Sequence, residues 1–124
     1  MDNHKKLLGE IHEQLKPIFE NSEQGVYIYL DGKNVACNKK FAEMLGYSSP
    51  DEWAKALVSP FPMVYVAEKS RETLAMTYRK AMEKLVGSSI KVTWMKKAGG
   101  TVDTSVILVP LTFNNHAIAL HFIS

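Results

Sequence analysis

A single thiol, Cys37, and four histidines, His4, His12, His116 and His121, are the side chains best suited to nucleophilic or metal chemistry. One cysteine excludes an internal disulfide framework and most zinc sites. Cys37 falls in a short strand-like run, and free cysteine is among the most buried residue types, so it reads as structural. His116 follows Asn114-Asn115 and reads as exposed. His121 alternates with Leu120 and Phe122 and reads as turned away from the interior, towards solvent or an interface. Neither has converging partners that would make a metal site. Asp103 is the only acid inside a late strand; it is in phase with Ile107, which places it on the surface. There is no G-x-S-x-G, no glycine loop to cradle phosphate and no histidine set beside an orienting acid. The residues therefore point away from catalysis.

The chain holds 124 residues, one domain's worth. Fifteen Lys and Arg against 13 Asp and Glu leave a net charge of +2, too even to argue for nucleic acid. No apolar run approaches the ~20 residues of a membrane span, and no apolar signal stretch follows Met1–Lys6. The expectation is a soluble cytoplasmic domain in a reducing compartment, without nucleic-acid or membrane partners.

The elements that would position these residues follow from periodicity. Leu8, Ile11, Leu15 and Ile18 give residues 5–20 a narrow helical stripe, with Pro17 expected to kink the helix or restart a second one. Val26–Leu30 and Asn34–Asn38 read as strands around Asp31-Gly32. Lys39–Leu45 reads as a helix capped by Gly46. Ser48-Ser49-Pro50-Asp51-Glu52 opens another, through Trp53 to about Leu57. Pro60-Phe61-Pro62 breaks the chain. Residues 67–86 read as the longest helix, burying Leu74, Tyr78, Ala81, Met82 and Leu85, with Gly87 ending it. Ile90–Trp94, the turn Lys96–Gly100, Thr101–Phe113 and Ala117–Ile123 complete an antiparallel sheet with the helices segregated in the middle. The Thr101–Phe113 strand is apolar on both faces: Val106 and Leu108 point one way, Ile107, Val109, Leu111 and Phe113 the other. An antiparallel strand with one wet face does not look like this, so the second face needs a cover.

This order, with its punctuating residues, resembles a PAS sensor domain over roughly residues 10–124. Ile18-Phe19-Glu20-Asn21-Ser22 is similar to the helix before the family's first strand, and Leu30-Asp31-Gly32-Lys33-Asn34-Val35 to its first hairpin. Asn38-Lys39-Lys40-Phe41 through Leu45-Gly46-Tyr47 resembles the family's asparagine-to-Gly-Tyr helix segment, its most specific stretch. Lys96–Gly100 resembles the turn before the penultimate strand, with Ala98 where the family often has Asp. After Pro62 the chain departs: the family's His-Pro-Glu-Asp-like helix start is replaced by Met63-Val64-Tyr65-Val66-Ala67-Glu68. The chain ends at Phe122-Ile123-Ser124, about where such domains pass into an Asp-Ile-Thr linker and an effector.

The resemblance implies an α+β fold, a five-stranded antiparallel sheet with helices on one face and the N-terminal helix on the other. It divides the chain into residues 1–20, a cover or dimer contact, and residues 21–124, the domain core. It implies a non-enzymatic sensory or dimerisation module relaying to an effector such as a histidine kinase of the same protein. Light-sensing members place a reactive cysteine after the second short helix, and Ala56-Leu57-Val58-Ser59 has none. Haem-binding members use a histidine on the long helix, and none lies between His12 and His116. Flavin and haem are thus disfavoured, and no cofactor is expected beyond a small organic ligand. Alternation puts Ile28, Leu30, Trp94, Thr104, Val106, Leu108 and Leu120 on the inner face, joined by Asn38, Phe41, Leu45, Leu57 and Tyr78. That lining suits either a plain core or a small organic ligand cavity, with Asn38, Tyr78, Trp94 and Thr104 as the orienting polar groups if a ligand exists. Leu8, Ile11, Leu15, Ile107, Val109 and Leu111 are the expected homodimer contacts. The alternative function is a small enzyme of the ketosteroid-isomerase-like cone type, which needs an inward carboxylate or tyrosine pair.

Overall fold

A computed structural model describes residues 3–31, 33–57 and 65–124. Gly32 of the first turn and the expected break at Pro60-Phe61-Pro62 lie outside the described residues, as do Met63 and Val64 of the departing stretch. The elements are α1 (Asn3–Asn21), β1 (Gly25–Asp31), β2 (Asn34–Cys37), α2 (Lys39–Met44), α3 (Pro50–Lys55), α4 (Glu68–Lys84), β3 (Ser88–Met95), β4 (Thr101–Phe113) and β5 (His116–Ile123). The five strands form one antiparallel sheet in the order β2-β1-β5-β4-β3. The last strand in sequence is therefore the central one.

Local chemistry sets the boundaries. Asn38 caps α2 by accepting the Phe41 N–H, and Gly46 ends it at φ +88, letting the Tyr47 N–H reach the Ala42 carbonyl at 2.8 Å. Ser49 caps α3 with Pro50 in its first turn. Some helix expectations are corrected. Pro17 sits inside α1, which runs on as one helix with no second helix restarted, and at 19 residues against 17 α1, not α4, is the longest helix. Leu85, not Gly87, ends α4: it takes the left-handed conformation at φ 54, so its side chain leaves the buried face and is exposed.

The sheet is buried on both sides. On the inner face lie Tyr27, Val35, Cys37, Val92, Trp94, Val106 and Ile123, against Phe41, Leu45, Trp53, Tyr65 and Leu74. Leu108 and Ala119 continue it towards Ala81, Tyr78 and Met82. On the outer face Val26, Ile28, Leu30, Ile118 and Leu120 pack against Leu7, Ile11 and Phe19 of α1.

This corrects the phase of two strands. β3 and β4 face as expected, but β1 and β5 are turned by one residue. Ile28, Leu30 and Leu120 belong to the outer face, while Tyr27, His121 and Ile123 point inward. Both faces of β1 and β5 are covered, so alternation of apolar residues carries no phase there. The α1 stripe is also rotated. Leu7, Ile11 and Phe19 are buried, Leu8 and Leu15 half-buried, and Ile18 exposed. Residue 19 offers a phenyl ring to the sheet where residue 18 offers only a butyl group.

Candidate functional site

Two places could carry function: the ring cluster under the inner face and the partly covered outer face.

The inner cluster is built from a row across the sheet. Leu108, His121, Tyr27 and Cys37 stand opposite one another on β4, β5, β1 and β2. The His121 imidazole lies flat on the Tyr27 ring, 3.9 Å between centroids and 8° from parallel. Phe41 stacks with Tyr27 at 5.3 Å, and Trp94 meets both edge-on at 5.6 and 5.0 Å. Trp53 stacks with Tyr65 at 4.7 Å, and the Tyr65 hydroxyl donates to the Trp53 carbonyl. Such offset and edge-to-face pairs add to the burial of the rings themselves.

His121 is thus in the core, only 2% exposed, where the sequence placed it in solvent or an interface. Burial drops its pKa from 6.5 to about 3, because an imidazolium there would lose its hydration. Its Nδ1 and the Trp53 Nε1 have no hydrogen-bond partner among the described residues. Cys37 is buried as expected, and burial pushes its thiol pKa up, away from the thiolate that reactivity needs. Burial likewise raises Tyr27 and Tyr65.

Of the four polar groups expected to orient a ligand, Asn38, Trp94 and Thr104 are hydrogen-bonded to the protein. Asn38 Oδ1 accepts the Val26 and Phe41 N–H groups and its Nδ2 donates to the Gln24 carbonyl. Trp94 Nε1 donates to Thr104 Oγ1 at 2.8 Å, and Thr104 donates to the Val92 carbonyl. Tyr78 meets Tyr29 edge-on at 4.9 Å. Phe41, Leu45, Val106 and Leu108 are buried and Leu57 is half-buried on the same side. The sequence reading missed Tyr27, Trp53, Tyr65 and His121. Residue type alone did not place them, since the sequence scatters Tyr27, Trp53 and Tyr65 and only the cross-strand register brings Tyr27 against His121.

On the outer face α1 covers β2, β1 and β5. Of the expected dimer contacts, Ile11 is used up beneath α1, while Leu8, Leu15, Val109 and Leu111 are half-buried at its margin. Ile107 on β4 is 47% exposed. The N-terminal end of α1 is tied to β1. His4 Nδ1 lies 2.6 Å from Asp31 Oδ2, with the His116 ring edge-on at 5.8 Å, and His12 meets Phe19 edge-on at 4.9 Å. His4, the Lys33 and Asn34 backbone and the Asn34 side chain together outweigh the desolvation of Asp31 and hold its carboxyl below the usual range. Asp103 is exposed and accepts the Thr93 hydroxyl at 2.6 Å.

Among the described residues no group of three or more His, Cys, Asp or Glu is placed to hold a metal, and no helix is long and apolar enough to cross a membrane. Buried polar side chains among them are Asn34, Asn38, Ser70, Thr93, Thr104 and His121, none of them a carboxylate.

Comparison with known proteins places this geometry. No curated protein matches the sequence. Solved structures share the fold. A PAS domain from Colwellia psychrerythraea superposes with a TM-score of 0.70 at 19% identity, covering 92% of this chain and 95% of that one. A PAS domain from a two-component sensor histidine kinase gives 0.66 at 13%, covering 94% and 97%. A domain of a sensory box sensor histidine kinase/response regulator from Geobacter sulfurreducens gives 0.63 at 16%, covering 93% and 95%. The PAS domain family model matches residues 13–76, the stretch from the middle of α1 through the ring-bearing helices into α4. The chain belongs to the PAS domain family.

Proposed function

We propose that this PAS domain is a non-catalytic sensory and dimerisation module of a cytoplasmic signalling protein, relaying to an effector such as a histidine kinase. Solved PAS domains of sensor histidine kinases share its fold. The observation that carries the reading is the outer face. A single helix covers β2, β1 and β5 of a sheet that is apolar on both sides, and on β4 beyond it Ile107 stays exposed beside the half-buried Val109, Leu111 and Phe122. Surface of this kind marks an interface, and a two-fold partner would cover it with the same residues from both sides. Residues 1–20 then act as the contact segment and residues 21–124 as the core that biases it.

The relay is a question of connection. β5 carries Leu120 and Phe122 against the outer cluster and His121 and Ile123 against the inner one. A change under the inner face thus reaches α1 through one strand, if an input favours one of two arrangements of that strand. A small organic ligand among the inner rings would be held by shape and apolar contact, since Asn38, Trp94 and Thr104 already bond to the protein. Of the two requirements of a cone-type isomerase, no carboxylate is buried among the described residues, while the buried Tyr27 and Tyr65 leave a tyrosine pair as that alternative's one remaining support.

Light scattering of the full chain tests the dimer. The expected mass is twice that of one chain, and Ile107→Glu should halve it without loss of the folded signal. A monomer at high concentration, or a dimer indifferent to Ile107→Glu, would refute the outer-face interface. Native mass spectrometry of the same sample reads any retained ligand.

A further inference from the structure

His121 is an ionisable group that packing and dimerisation leave without a task. Its ring is sealed on the inner face of the central strand, stacked on Tyr27, with Nδ1 lacking a partner among the described residues. A structural position here would be filled more stably by phenylalanine, which stacks as well and leaves no buried nitrogen unsatisfied.

The groups that face the ring offer a proton too little: the backbone of Tyr27 and Ala119 favours it, but burial outweighs both, and no side chain adds a charge. From β1 come Tyr27 and, one pair along, Tyr29; from β2, across the row, Cys37; from α4, through Tyr29, Tyr78. Burial raises the pKa of all four, so they stay neutral in mild acid. β4 contributes Leu108, and Phe41 and Trp53 close the far side of Tyr27. Asp31, at the end of β1, is committed to His4. The Tyr27 face attracts a cation, but less than water does. An imidazolium can form only if β5 lets the ring reach solvent.

We propose that mild acid opens the inner face of this domain by protonating His121, and that the resulting movement of β5 is transmitted to α1. This rests on the sensory reading and names the proton as its input. The linkage has a definite sign. The closed state excludes the proton, so it is fully favoured above the ordinary histidine range and loses ground as pH falls below it. Asp31 and Glu52, whose carboxyls are held below their usual range, act only at lower pH. The window between is left to His121 among the groups with a resolved shift.

Hydrogen exchange on the full chain, expressed as protection factors at pH 7.5 and 5.5, tests this. Protection across β5 and along the buried face of α1 should fall about tenfold at the lower pH, one unit below the ordinary imidazole value. His121→Phe keeps the stacking partner and should abolish the fall; His121→Gln, a second variant should the first misfold, should abolish it too. His4→Gln, His12→Gln and His116→Gln should keep it. Flat protection in the wild type overturns the proposal. So does a fall that survives both His121 variants, or one carried entirely by global unfolding with no separate opening of β5. A monomer at both pH values with the His121 response intact would strike the dimer reading and leave this one standing.

Discussion

Trp94 and Leu108 mark where single side chains matter most. Both are fully buried under the inner face, Trp94 with its indole N–H on Thr104. Trp94→Ala and Leu108→Ala should each cost about 2–5 kcal/mol in chemical denaturation, the range for large-to-small changes that leave a cavity. Lys91, exposed one pleat away with its ammonium on Ser105, should change stability by less than ~0.5 kcal/mol as alanine. Equal losses at residues 91 and 94 would mean that the β3 phase is wrong. Leu85 shows the opposite situation. A leucine in the left-handed region is strained, and here its side chain gains nothing from burial in return.

At the scale of elements, Asn38 joins three pieces: it caps α2, receives the first strand's Val26 N–H, and holds the Gln24 carbonyl of the turn before it. Asn38→Ala should cost about 2–4 kcal/mol by thermal or chemical melting, combining a lost cap with a buried N–H left unmet. Asn38→Asp keeps the acceptor for both N–H groups and should cost clearly less. The equal loss of both variants would show that the amide donor, not the cap, holds the junction. Much of this level was legible in the sequence. Gly46, Ser49-Pro50 and the Asn114-Asn115 turn carry their geometry in residue type, and the element order followed from them. The phase of β1 and β5 did not, because a hydrophobicity pattern states that a residue is buried and not under which layer. Ile118, Leu120 and Phe122 outrank Ala119, His121 and Ile123 in apolarity, yet they are the ones beneath α1. Tyr27 and His121 are readable as core only once the cross-strand register sets them face to face. The inner site was misplaced for that reason, while its β3 and β4 half, Trp94, Thr104, Val106 and Leu108, was placed on the correct face.

For the whole molecule, the strand order β2-β1-β5-β4-β3 has a temporal consequence. The N-terminal hairpin and the C-terminal meander can each form from near neighbours in sequence, but they join only when β5 pairs with β1, Gly25 meeting Ile123. That closure spans nearly the entire chain, so its loop entropy must be met before its contacts repay it. Refolding followed by stopped-flow fluorescence of the two tryptophans should therefore take milliseconds to seconds, not microseconds. A microsecond phase carrying the full amplitude would contradict this. During synthesis the seam waits for β5 to leave the ribosome. Until then Val26, Ile28 and the Val106–Phe113 stretch have no central strand between them, and the growing chain presents two sticky edges that only β5 can close.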